Sequence, residues 1–170
     1  MERLSGLKKR AIRKKIAGIN PAKAIQIKPP TSYKKILLIS EEEKEGFEKL
    51  IKTVFPDAKT HLLHFRKTKE DQSGLHDYSV HATDFNLTGN LKNDKLSGLR
   101  KAQFDLILDL SSDSVIMDYF TRSIKAELVV GKKGTHKTAH DLTIEYGHDY
   151  ISFLENLKHQ LELLSKDGIE

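Results

Sequence analysis

Along residues 2–19 the apolar side chains Leu4, Leu7, Ala11, Ile12, Ile16 and Ile19 fall three and four apart, a single helical stripe. Gly18, Asn20 and Pro21 stop that helix. From Ala22 to Tyr33 the chain reads as a linker, extended at Pro29-Pro30. The pattern then changes. Ile36-Leu37-Leu38-Ile39 are consecutive aliphatics without alternation, which predicts a strand covered on both faces, as in a parallel sheet. Glu41-Glu42-Glu43 suits the first turn of a helix, where negative charge meets the positive end of the dipole. Phe47, Leu50, Ile51, Val54 and Phe55 give that helix its buried stripe, Pro56-Asp57 ends it, and Thr60–Phe65 is a second strand. These segments form a βαβ unit with a right-handed crossover.

Residues 67–98 are less regular. Lys67–Gly74 reads as polar loop, Tyr78–Ala82 as a short strand, and 92–101 as a weak helix. Phe104–Leu110 is the strongest strand pattern in the chain. Ser111-Ser112-Asp113-Ser114 then offers caps for a helix over 113–124 that buries Ile116, Tyr119, Phe120 and Ile124. Glu127–Gly131 predicts a strand, Lys132–His140 a basic loop, and Leu142–Tyr146 a last strand. A terminal helix over 149–165 aligns Ile151, Leu154, Leu157, Leu161 and Leu164. Alternating strands and helices predict an α/β fold. We expect a three-layer, Rossmann-like or flavodoxin-like, mostly parallel sheet of about five strands, preceded by a basic helix. The chain divides into a helix and linker at 1–33 and one α/β domain at 34–170.

Charge changes this picture more than composition does. Residues 1–35 hold eleven Lys or Arg against the single acid Glu2, so a net of +5 for the whole chain conceals +10 at its start and −5 in the remainder. A fold needs no such asymmetry, whereas an anionic partner does. The absence of cysteine excludes disulfides, thiolate metal sites and thiol nucleophiles. No apolar run follows the basic start as in a secretory signal, and none approaches a membrane span. A cytoplasmic protein is therefore expected.

Lys35–Ile39, the helix ending Phe55-Pro56-Asp57-Ala58, the strand Phe104–Leu110 and Val130-Gly131 are similar to the N-terminal Rossmann-like half of heptosyltransferase-type glycosyltransferases. That resemblance covers about 36–131 and implies the fold. This chain has Ser40-Glu41-Glu42-Glu43 where that family turns on Gly-Asp. Nearly the whole chain also resembles an uncharacterised bacterial family of unknown function. The likeness is carried by the basic first helix, Asp84-Phe85-Asn86 followed by Gly89, Phe104–Ile107, Val130-Gly131 and the C-terminal helix. It implies no activity.

Ligands of open α/β sheets sit at the carboxyl ends of strands, where two loops stand out. Asp109, Ser111, Ser112 and Asp113 suit a cation or sugar hydroxyl, or cap a helix. Lys132, Lys133 and Lys137, with glycines at 131 and 134, suit phosphate, or form a solvated basic loop. The pattern G-x-x-x-x-G-K-[ST] is absent, as is G-x-S-x-G. No catalytic residue, metal or cofactor is expected, and the reading leans away from an enzyme. Lys8, Lys9, Arg10, Arg13, Lys14 and Lys15 are the candidates for an anionic partner. The apolar stripe beside them suits docking on the chain's own body or on an anionic membrane, and the charge suits RNA or an acidic protein. The leading expectation is an accessory or binding protein that uses this helix. The alternative is a small enzyme or ligand-binding domain that uses loops 109–114 and 131–137 for a phosphorylated or sugar ligand.

Overall fold

The structure, a computed structural model, describes residues 4–19, 23–41, 46–66, 77–135 and 139–167. The helices are α1 (Gly6–Ala17), α2 (Phe47–Val54), α3 (Asp94–Lys101), α4 (Val115–Ser123) and α5 (Tyr150–Asp167). The strands are β1 (Lys35–Ser40), β2 (Lys59–Phe65), β3 (Tyr78–Val80), β4 (Gln103–Asp109), β5 (Lys125–Lys132) and β6 (Leu142–Ile144). All six strands form one parallel sheet in the order β3-β2-β1-β4-β5-β6. This is the doubly wound, Rossmann-like order, in which the chain reverses its direction of travel across the sheet between β1 and β4.

The central strands explain why their sequences do not alternate. On β1, Ile36 and Leu38 pack beneath α2 and α5, while Leu37 and Ile39 pack beneath α1, α3 and α4. On β4, Leu106 and Leu108 join the first layer and Ile107 the second. Helices cover both faces, so the central positions Ile36–Ile39 and Leu106–Leu108 are apolar on both sides of the sheet. The sheet has six strands against about five expected; the edge strands β3 and β6 lie within the segments Tyr78–Ala82 and Leu142–Tyr146 read as strands, each shortened to three residues.

Three local readings change. On α5 the buried stripe is Tyr150, Phe153, Leu154, Leu157 and Leu161, whereas Ile151 and Leu164 face outward. Phe153 takes the core-facing position that a strict three-residue step assigns elsewhere. Helix α2 begins at Phe47 after Gly46 in a left-handed conformation (φ 85°), with Glu41 ahead of it and Glu42 and Glu43 outside the described residues. The linker contains a 3-10 turn at Pro30–Ser32 and packs against the body. Tyr33 is fully buried and its hydroxyl accepts from the Lys28 N–H at 3.1 Å. Lys23 pairs with Asp141 at 2.7 Å, and Lys28 pairs with Glu127, securing the same segment along β5 and the loop that leads to β6.

Candidate functional site

Helix α1 is twelve residues long and contains no acid, and its pairs Lys9–Arg13 and Arg10–Lys14 set like charges four apart. Each such pair costs a helix about 0.2–0.5 kcal/mol, and a helix this short is marginal in water by itself. Two things hold it. Ser5 caps its start, the hydroxyl accepting from the Lys8 N–H at 3.3 Å. Docking does the rest: α1 packs along α4, with Ile12 fully buried and Ile16 8% exposed in the layer that contains Ile107, Met117 and Phe120.

A turn at Asn86–Asn90 braces the same helix. The Asn86 side-chain oxygen accepts from the N–H groups of Thr88 and Asn90 and from the Thr88 hydroxyl. Gly89 there has φ +76°, and a Cβ on it would lie 3.1 Å from the Ile12 nitrogen and 3.2 Å from the Ala11 carbonyl carbon. Only glycine suits both that backbone and that approach. The segment after Asp84 is thus a support for α1, anchored by Phe85, whose ring meets Tyr119 and Phe120 edge-on.

Docking by one face presents the opposite face in a fixed orientation. Lys9, Arg10, Arg13 and Lys14 are exposed, and none forms an ion pair among the described residues. Lys8 and Lys15 are half-buried at its margins, and the Lys8 ammonium donates to the Ala82 carbonyl at 3.5 Å. Leu7 is 70% exposed and takes no part in the docked stripe.

At the carboxyl end of β4, Asp109 is fully buried and accepts from one backbone N–H and three side chains. One oxygen accepts from the Ser111 N–H and hydroxyl, the other from the Thr121 hydroxyl and from His140 Nε2, both at 2.9 Å. A carboxylate only accepts, so Nε2 carries the proton. Nδ1 is buried, with no hydrogen-bond partner among the described residues. The His140 side chain, 1% exposed, lies against Gly131, the register partner of Asp109 on β5. A Cβ on Gly131 would sit 2.1 Å from that ring. Sequence reasoning missed this pair; the signal that could have found it is a glycine following the aliphatic run of β5, a feature that marks close approach by another group. Pairing it with a histidine nine residues later required the fold. We expect Gly131→Ala to expel the ring from Asp109 and lower stability by about 1–3 kcal/mol, measured by denaturant unfolding.

The other strand-end residues are dispersed. Ser112 is exposed and its hydroxyl donates to Glu41, linking the loops after β4 and β1 across the point of reversal. Asp113 is exposed, and Ser114, not Ser112 or Asp113, caps α4. Lys132 lies over the Tyr146 ring at 5.1 Å. Lys133 pairs with Glu145, whose hydrogen bond and charge raise the lysine above its ordinary pKa. Lys137 lies outside the described residues. One cavity of about 410 Å³ lies beside Pro56–Thr60, and another of about 420 Å³ lies between Ile19, Lys23, Ser123, Lys125, Val129 and Ala139. Neither joins loops 109–114 and 131–135. Among the described residues no group of three or more His, Asp or Glu is placed to hold a metal, and no helix is long and apolar enough to cross a membrane.

A family model matches residues 7–164, a span that takes in nearly all of α1 as well as the sheet and most of α5. The chain belongs to the DUF6913 family, a family of unknown function. Membership accords with the resemblance carried by the basic helix, the Asp84–Gly89 segment and the Val130-Gly131 pair. The DUF6913 match therefore includes the helix that bears the cationic face together with the sheet that holds it. No curated protein and no solved structure matches the chain, so the likeness to heptosyltransferases stands unconfirmed.

Proposed function

We propose that this chain is an accessory or binding protein whose docked α1 engages an anionic partner through Lys9, Arg10, Arg13 and Lys14. One observation carries the reading: four exposed cations occupy six successive positions of a helix, without a carboxylate among them or, among the described residues, paired to them. Stability alone favours the reverse, since one acid at an i+4 position turns a repulsion into an attraction. The remaining chain, net −5 beyond residue 35, makes the asymmetry directional. The strand-end loops offer less, because Asp109 is saturated by internal donors and Lys132 and Lys133 are engaged by Tyr146 and Glu145.

Retention on a heparin column tests this. The full chain is expected to bind, and K9E/R10E/R13E/K14E to flow through, with an unchanged melting temperature because all four side chains are exposed. The control carries the same change of net charge at exposed lysines of the body, K49E/K52E/K101E/K158E, and stays bound. Equal elution of the two variants would mean that net charge alone governs retention and that α1 has no special part in it.

A further inference from the structure

We infer that the partner of α1 is the phosphodiester backbone of a nucleic-acid duplex, held without regard to base sequence. This rests on the reading above that the outward face of α1 takes an anionic partner, and it names which one.

Three observations select it. First, the apolar side of α1 is already occupied. A basic amphipathic helix settles on a membrane by burying its apolar face in the lipid, but here Ile12 and Ile16 are buried against α4 and the sheet. Insertion would require the helix to leave the body, and while it stays docked Leu7 is the one large apolar side chain that the helix itself exposes.

Second, the cationic face has nothing that anchors a protein. Protein interfaces depend on a desolvated centre of aromatic or large apolar groups, with charge at the rim. Between the four cations lie only half-buried Ala11 and buried Ile12, and the exposed positions that continue the face are Gly6, Leu7, Ala17 and Gly18, so a lone leucine at its edge is the one large apolar side chain and forms no desolvated centre. No aromatic residue precedes Tyr33. The same lack leaves no platform on which unpaired bases stack, which favours duplex over single strand.

Third, the charge density matches. From Lys9 to Lys14 the helix advances five residues, about 7.5 Å at its standard rise, and carries four positive charges. Duplex DNA, both strands counted, presents one phosphate per about 1.7 Å of axis, hence roughly four over that length, shared between the two backbones that flank a groove. Lysine and arginine then act as point and forked donors to phosphate oxygens. Contacts of this kind position a protein on a duplex and carry no sequence information.

Fluorescence anisotropy with the full chain tests the inference. The probes are a short labelled DNA duplex, an RNA duplex of the same sequence, a DNA duplex of scrambled sequence, polyglutamate, and phosphatidylcholine vesicles containing phosphatidylserine. Both DNA sequences are expected to bind equally, and RNA duplex comparably. The logarithm of the binding constant for DNA should fall with the logarithm of salt at a slope of about −3 to −4, roughly a hundredfold loss between 50 and 200 mM. Lys9→Gln, Arg10→Gln, Arg13→Gln and Lys14→Gln should each flatten that slope by about 0.9. Binding to vesicles or polyglutamate that depends on these four residues, with no duplex binding, overturns the inference and keeps the anionic-partner reading. Loss of all binding, with heparin retention also indifferent to α1, overturns both. Duplex binding whose slope the four substitutions leave unchanged places the nucleic-acid surface elsewhere and overturns the inference as well.

Discussion

Ile12→Ala is expected to lower stability by about 2–5 kcal/mol. Ile12 has no exposed surface and packs in the layer formed by Ile107, Met117 and Phe120. Its truncation therefore removes buried methyl groups and leaves a cavity whose walls are held by the sheet and α4. In a protein of this length each kcal/mol corresponds to roughly 2–4 °C of melting temperature, so the effect is readily seen by calorimetry. Leu7→Ala removes a side chain of the same size from the same helix yet should change stability by no more than about 0.5 kcal/mol, because Leu7 is 70% exposed. Equal effects of the two substitutions would mean that α1 does not dock as described. The prediction also decides how the helix is best probed. Removing residues 1–28 takes away Ile12 and Ile16 with the cations and exposes the apolar surface of α4. Lost binding in such a truncation reports on folding as much as on charge. Substitutions at the four outward cations separate the two, since they leave the docked stripe in place.

Asp109→Ala should cost at least about 3 kcal/mol. The carboxylate is the common acceptor for the Ser111 N–H and hydroxyl, the Thr121 hydroxyl and His140 Nε2. Deleting it strands these donors in a site that water does not reach, at about 1–3 kcal/mol for each one left unsatisfied. Relaxation of the Ser111 loop and a second acceptor for Thr121, the Met117 carbonyl at 2.9 Å, keep the total below the simple sum. Asp109→Asn should fall between wild type and alanine, because the amide keeps one acceptor but points a donor at another donor. Denaturant unfolding of Asp109→Ala, His140→Ala and the double variant measures the coupling. The double variant should lose clearly less than the two single losses together, because both changes break one contact. Strict additivity would show that the 2.9 Å hydrogen bond between these groups contributes nothing to the fold. Neither substitution touches α1, so the folded fraction of each variant should keep full affinity for a polyanion.

The amino-acid order by itself determined the class of fold. Unbroken aliphatic runs at Ile36–Ile39 and Leu106–Leu108 record burial on both faces of a parallel sheet, and the spacing of Phe47, Ile51 and Val54 records one buried helical face. Periodicity is a local property of the chain, so no contact had to be known to read it. The cationic cluster at residues 8–15 was legible for the same reason, as charge is additive along a sequence. What tertiary structure alone decided is which way that helix faces. Its apolar stripe suited the chain's own body or an anionic membrane, and the packing against α4 and the Gly89 turn is what places it on the body. The meeting of Asp109 with His140 was likewise invisible. It depends on β4 and β5 lying side by side in a register that sets a glycine opposite the aspartate. Residues thirty-one positions apart are joined by the geometry of the sheet, and no pattern within either segment encodes that distance.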